Sequence, residues 1–194
     1  MRYHTILVDP PWPQAMVGKW KRRKHMRPDN LPYPTMAVEA IAALPVQDLA
    51  ASACHLWLWT TNQFLEAGFH VMRAWGFTYL APVHWIKPSG MGAWWVHRTQ
   101  TVLFGYYKRC RFPQARYLPN FFEANPGRHS EKPPESYELI ETVSPPRRLE
   151  LFARDARDGW HVWGNEVTPH PNAIQILGQP STKACPEGHE RREA

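Results

Sequence analysis

Near its start the sequence reads Val8-Asp9-Pro10-Pro11-Trp12, a carboxylate followed by two prolines and a flat ring. Each proline fixes φ at about −65° and lacks an N–H, so the chain leaves in a rigid, extended turn. Such a turn offers an anion, backbone carbonyls that no strand ladder uses, and an aromatic face. Together they suit gripping an aromatic base that carries an amino group. The preceding run, Tyr3-His4-Thr5-Ile6-Leu7-Val8, has the length and β-branched content of a short buried strand. Asp9 and Trp12 then stand at the carboxyl end of that strand, where open α/β sheets hold their ligands.

A second group of residues suits a polyanion. Lys19-Trp20-Lys21-Arg22-Arg23-Lys24-His25-Met26-Arg27 carries six Lys and Arg and no acid, as many positive charges as the net +6 of the whole chain. Basic side chains interleaved with an aromatic fit phosphate contact plus base stacking. The plainer alternative is a solvated basic loop. The pI near 9.4 leans the same way, toward a nucleic-acid partner.

The elements that must position these residues follow from composition and pattern. The chain has 194 residues and 43% hydrophobic residues, enough for one domain with a core. The expected division is a domain over residues 1–167 and a polar, disordered tail over 168–194. No apolar run approaches about 18 residues, so no membrane span is expected. The N-terminus shows no signal peptide, and the three cysteines, Cys54, Cys110 and Cys185, are odd in number and widely spaced. A disulfide framework or metal site is therefore not expected, and a cytoplasmic location is.

Thr35 is a candidate N-cap for a helix with Met36, Ala40, Ile41 and Leu44 on one face. Residues 55–60 read as a buried strand, Asn62 as the cap of a helix ending at Gly76, and residues 77–87 as extended. A strand–helix–strand unit of this kind predicts a parallel sheet. Residues 88–98, rich in Gly and Trp, read as an irregular loop. Residues 101–107 form a strand, and the stretch 109–125 has room for a short one. A helix runs to Val143 with Tyr137, Ile140 and Val143 apolar. Residues 149–154 and the short run from Gly159 supply the last strands.

Four motifs occur in order: Asp-Pro-Pro-Trp, then Pro-Tyr-x-Thr-Met, then His-Ser-x-Lys-Pro, then Glu-Leu-Phe-x-Arg with Trp-Gly-Asn downstream. In order and spacing they resemble the MT-A70 family over residues 3–167. That resemblance implies an S-adenosylmethionine-dependent N6-adenine methyltransferase acting on nucleic acid, DNA before RNA. It implies an α/β, Rossmann-like class I methyltransferase fold: a mostly parallel sheet flanked by helices, with permuted motif order. The catalytic strand comes first and the ribose-holding strand last. No Gly-x-Gly-x-x-Gly loop occurs, and Glu150 would take its place.

By the resemblance, Asp9, Pro10, Pro11 and Trp12 form the catalytic motif. Asp9 and Lys132 would face the methionine end of S-adenosyl-L-methionine, with Lys132 pairing its carboxylate. Glu150 and Arg154 would hold the ribose hydroxyls, and Asn165 and Glu166 would line ribose and adenine. Phe152 reads as core. On the substrate side, Trp12 and Tyr33 would wall the base pocket and Gln100 would contact the base. Lys19, Lys21, Arg22, Arg23 and Lys24 would meet phosphates. Adenine N6 is a poor nucleophile because its lone pair is delocalised into the ring. A carboxylate on one N–H and the Pro10 carbonyl on the other would localise and aim that pair. The base must leave its stack to be reached. Homo- or heterodimerisation is compatible with the resemblance.

The sequence departs from the family pattern at Ala156, Gln100 and Glu166, where some members carry His, an acid and Gln. An inactive nucleic-acid-binding subunit is the alternative. The presence of Asp9, Lys132, Glu150 and Asn165 together argues against it. A protein-amide methyltransferase would carry Asn-Pro-Pro-Tyr at the first motif.

Overall fold

A computed structural model describes residues 1–13, 34–92, 94–112, 117–127, 131–164 and 167. Among them seven strands form one sheet in the order β5-β3-β4-β2-β1-β6-β7. The strands are β1 (Tyr3–Val8), β2 (Ala50–Thr60), β3 (Thr78–Met91), β4 (His97–Lys108), β5 (Phe121–Glu123), β6 (Arg148–Leu151) and β7 (Trp160–Trp163). The helices are α1 (Val38–Ala42), α2 (Val46–Leu49), α3 (Leu65–Ala74) and α4 (Pro134–Val143), with a 3-10 turn at Asn62–Phe64 before α3. The expected α/β architecture is present, mostly parallel and flanked by helices.

β1 is central and parallel to both neighbours, β2 and β6. Its alternation assigns the two faces of the sheet. Ile6 and Val8 point to one core with Leu56, Leu58, Leu149 and Leu151, closed by Ile41 of α1 and Val71 and Met72 of α3. Leu7 points to the other with Trp57, Trp59 and Phe104, closed by Ile140 and Val143 of α4. This two-residue period puts Glu150, between Leu149 and Leu151, on the α4 face.

Several local expectations are corrected. β2 and β3 run in the same direction but are not neighbours, because β4 lies between them, antiparallel to both. The strand–helix–strand pattern fixes direction, not adjacency. Of the stretch expected as an irregular loop over residues 88–98, residues 88–91 and 97–98 belong to β3 and β4, but the register is irregular between Ile86 and Met91. β3 extends to Met91 and pairs it with His97, leaving a short tip at residues 92–96. Thr35 does not cap α1. Its N-cap is Ala37, without a side-chain cap, and the adjacent Met36 N–H is bound to the Pro11 carbonyl at 2.9 Å. Asn62 does not cap α3 either; it opens the 3-10 turn and its amide meets His97 Nδ1 at 2.9 Å. Gly76 ends that helix with φ +73°, as expected. The strand expected over residues 149–154 stops at Leu151, because Phe152 turns left-handed at φ +63°.

Candidate active site

The sheet brings Asp9 and Glu150 to the carboxyl ends of adjacent parallel strands. Glu150 lies opposite Leu7 in the β1–β6 register, and Asp9 follows β1 by one residue. Lys132, just before α4, reaches Asp9 and donates to its Oδ2 at 2.5 Å. The lysine side chain is 8% exposed and the aspartate 28%, so the pair is shielded on the cation side and open on the anion side. Among the described residues no hydrogen-bond partner appears for Asp9 Oδ1. The Lys132 ammonium also lies 5.0 Å from the centroid of the Trp59 ring.

Glu150 is buried on the α4 face, where the Tyr137 hydroxyl donates to its Oε1 at 2.9 Å. Burial pushes its pKa up to about 7; the Tyr137 hydrogen bond opposes that rise, and the nearby Asp9 charge adds to it. Burial, then the Glu150 carboxylate, raises the Tyr137 pKa in turn. The Arg157 guanidinium sits 3.9 Å above the Tyr137 ring. A carboxylate in this setting titrates near neutrality, ready to ionise against hydrogen-bond donors brought by a ligand.

The prolines shape the turn as expected, but its carbonyls already have partners. Trp12 N–H closes on the Pro10 carbonyl at 2.8 Å, a three-residue turn around Pro11. The Pro11 carbonyl accepts from Met36. One lone pair of Pro10 oxygen remains for a ligand amine. Trp12 is 6% exposed and packs in the α1–α3 core. Its ring stacks on Phe64 at 5.7 Å, and its Nε1–H donates to the Trp59 carbonyl at 3.0 Å. The expected base-walling ring is therefore a brace that fixes the turn against β2. An indole with a buried donor and a long apolar body is suited to that work.

Gln100 lies on β4 opposite Trp85 of β3. Its Oε1 accepts from Lys87 Nζ at 3.4 Å, and Lys87 lies 4.2 Å over the Trp85 ring. The Lys87 pKa is lowered, first by burial and then by repulsion from Lys132. Lys87 thus connects Gln100, through a hydrogen bond, with Lys132, through charge repulsion. Sequence reasoning passed over Lys87, Tyr137 and Arg157. The available signal for Lys87 was a lone cation closing an aromatic strand, His84-Trp85-Ile86-Lys87.

Arg154 is half-buried three residues past β6. Phe152 packs against the core and edge-on to Trp163 at 5.1 Å, in line with a core role. Tyr33, the basic stretch with Lys19, Lys21, Arg22, Arg23 and Lys24, Asn165, Glu166 and the tail over 168–194 lie outside the described residues. No described helix is long and apolar enough to cross a membrane.

The MT-A70 family profile matches residues 3–166, from the first residue of β1 to just past β7. The chain belongs to the MT-A70 family. MT-A70 proteins are N6-adenine methyltransferases, and this chain is an enzyme of that kind with a Rossmann-like fold. It is 28% identical to the type II methyltransferase M.MunI of a Mycoplasma species over 92% of this chain and 83% of that one. It is 29% identical to a probable N(6)-adenosine-methyltransferase MT-A70-like protein of Oryza sativa subsp. japonica, over 92% of this chain but 24% of that one. A third relative, an N(6)-adenine-specific methyltransferase of Mus musculus, is 27% identical over 85% of this chain and 37% of that one. The chain thus spans about a quarter to a third of the two longer relatives. In this MT-A70 member the permuted order has a structural counterpart: β1, first in the chain, lies beside β6, near its end.

Proposed function

We propose that the chain transfers a methyl group from S-adenosylmethionine to the N6 amine of adenine in DNA, with Asp9 and the Pro10 carbonyl holding the amine. The observation that carries this reading is the Asp9–Lys132 pair at the end of β1, beside the buried Glu150 of β6. When bound, S-adenosylmethionine supplies an electrophilic methyl on a sulfonium.

The residues present fit that cofactor. Lys132 has three donor hydrogens, so it can bond Asp9 and a methionine carboxylate together. Glu150 is a buried carboxylate whose described hydrogen-bond donor is Tyr137 alone, and a ribose diol supplies two more. Arg154, Asn165 and Glu166 complete the ribose and adenine side. On the substrate side, Asp9 Oδ1 accepts one N6 hydrogen and the remaining Pro10 lone pair accepts the other. This weakens lone-pair delocalisation into the ring and aims the nitrogen at the methyl; as the S–CH3 bond breaks and the N–CH3 bond forms, the thioether leaves and the surplus N6 proton passes to Asp9 or water. The carboxylate also complements the positive charge that develops on N6. Lys87 and Gln100 border the base, and Tyr33 and the basic stretch 19–27 present it.

DNA is preferred to RNA on relative length. The match that extends over most of both chains carries the type II methyltransferase name, whereas the adenosine methyltransferase of Oryza sativa subsp. japonica shares about a quarter of its length. The test is mass spectrometry of nucleosides from DNA and from RNA, each incubated with the protein and isotopically labelled S-adenosylmethionine. Labelled N6-methyldeoxyadenosine is the expected product. Label confined to N6-methyladenosine from RNA overturns the strand assignment, and label on neither overturns the activity.

A further inference from the structure

The β3–β4 hairpin ends in a tip that the site described above does not use. Met91, Trp94, Trp95 and Val96 are 84%, 95%, 79% and 63% exposed. Two adjacent indoles bared to water are costly for a folded chain, because each offers about 150–250 Å² of largely apolar surface. Large exposed apolar patches mark binding surfaces.

The tip is built rather than frayed. Met91 pairs with His97 across the hairpin. A Cβ on Gly90 would lie 2.3 Å from the His97 carbonyl oxygen, and one on Gly92 would lie 1.7 Å from that of Trp95. Both glycines permit backbone approaches closed to any other residue, and those approaches hold the two indoles at the apex.

Direction and charge say what meets it. β3 runs parallel to β1, since both are antiparallel to β4 or parallel to its antiparallel neighbour β2. The tip therefore projects from the same sheet edge as Asp9. Arg98 Nε donates to the Lys87 carbonyl at 2.8 Å, and Lys87 donates to Gln100. A continuous line of contacts runs from the base side of the cleft into the hairpin. Trp95 and Trp94 lie three and four residues from Arg98 on the β4 side, so at about 3.3 Å per residue their backbone stands at most about 13 Å beyond it. Residues 67–122, which include the whole hairpin, contain seven Lys or Arg and no Asp or Glu. A second copy of this chain docked through the same face would bring like charges together. A phosphate backbone neutralises them.

We infer that Trp94 and Trp95 form a stacking finger for unpaired bases of the nucleic-acid strand flanking the target adenine, with Arg98 at its base meeting the phosphates. This rests on the proposed function, since it takes the same strand as substrate. An indole face accepts any base, so the finger supplies affinity and register without sequence choice. It also offers the bases beside an extruded adenine a surface in place of their lost stack.

The test compares the full-length protein with W94A/W95A, W94F/W95F and W94K/W95K, substitutions at solvent-exposed positions that leave the core intact. Fluorescence anisotropy reports binding to labelled adenine-containing single-stranded and duplex oligonucleotides, in DNA and RNA arms. Light scattering reports mass, and methyl transfer by the parent is measured in parallel. The expected result is a Kd at least about tenfold weaker for W94A/W95A, partial retention by W94F/W95F, unchanged S-adenosylmethionine affinity, and weaker binding by W94K/W95K despite its added charge. Unchanged binding by W94A/W95A, or tighter binding by W94K/W95K, overturns the finger while parent methylation leaves the proposed function standing. A dimeric parent that becomes monomeric in W94A/W95A with unaltered oligonucleotide affinity overturns it in favour of self-association. A parent that neither binds nor methylates any oligonucleotide overturns both.

Discussion

Lys132 donates to Asp9 Oδ2 at 2.5 Å, joining the start of α4 to the end of β1 across 123 residues of sequence. The bond holds one oxygen of the carboxylate proposed as catalytic on the lysine and leaves the other without a hydrogen-bond partner among the described residues. In the proposed function this cation would meet the amino-acid end of S-adenosylmethionine, so the two proposed ligand sites would share one ion pair.

Lys132→Met keeps the side-chain length and removes the charge. Charge-assisted hydrogen bonds are worth about 1.5–3 kcal/mol, so cofactor Kd should weaken about tenfold or more and kcat should fall. Asp9 is partly exposed, so water solvates it in the variant and the fold survives. Isothermal titration calorimetry with S-adenosylmethionine measures the first effect; an unchanged Kd removes Lys132 from the cofactor site.

Glu150 predicts two pH effects. Its folded pKa of about 7 lies above its ordinary 4.5. Below the lower value it is neutral in both folded and unfolded chains. Between the two values the unfolded chain releases its proton while the folded chain keeps it, so stability falls as pH rises and the loss is complete once the folded group ionises near 7. Glu150→Gln should therefore raise Tm relative to the parent at pH 8 and leave it nearly unchanged at pH 4.5. Cofactor affinity should show the opposite slope, because in the proposed site the ionised carboxylate would accept both ribose hydroxyls. Parent Kd should tighten from pH 6 to 8, and the Gln variant should show a weak, flat Kd. A flat parent profile would remove Glu150 from the ribose.

Trp12 separates bracing from substrate contact. Trp12→Ala should cost about 3–5 kcal/mol in chemical denaturation, as expected for a large buried ring. Trp12→Phe keeps a ring against Phe64 but leaves the Trp59 carbonyl unpaired, costing about 1–3 kcal/mol. A Trp12→Ala protein as stable as the parent would contradict the bracing role.

The basic stretch predicts a salt effect. Replacing Lys21, Arg22, Arg23 and Lys24 by Ala should weaken nucleic-acid binding and flatten its dependence on log[salt] by up to about 0.9 per lost phosphate contact, with cofactor affinity unchanged. An unaltered slope would mean that these side chains do not meet phosphates.

The first strand, the Asp-Pro-Pro-Trp turn and helix α4 were legible in the sequence because each is set by local chemistry. Proline fixes the turn, and apolar period fixes the faces. What was not legible depends on contacts distant in sequence or on backbone geometry. The insertion of β4 between β2 and β3 leaves no local trace, because two strands of shared direction need not touch. The Lys87–Gln100 bond joins residues that only hairpin pairing brings together. Residues 88–98 carry Pro, Gly and Trp, the composition of a loop, and the glycines admit close backbone approaches that bring Met91 opposite His97 across a register irregularity. Phe152 ends β6 in a conformation that a bulky residue rarely adopts, so the Leu-Phe-Ala run read as more strand. Trp12 reads from sequence as a wall of the base pocket because its stacking partner Phe64 and acceptor Trp59 are some fifty residues away.

Single-turnover methyl transfer to an adenine-containing DNA oligonucleotide tests whether Asp9 holds the N6 amine for transfer. Asp9→Ala should fold with the parent's circular dichroism, retain oligonucleotide binding, and yield no N6-methyldeoxyadenosine. Transfer by Asp9→Ala at the parent rate would contradict the account.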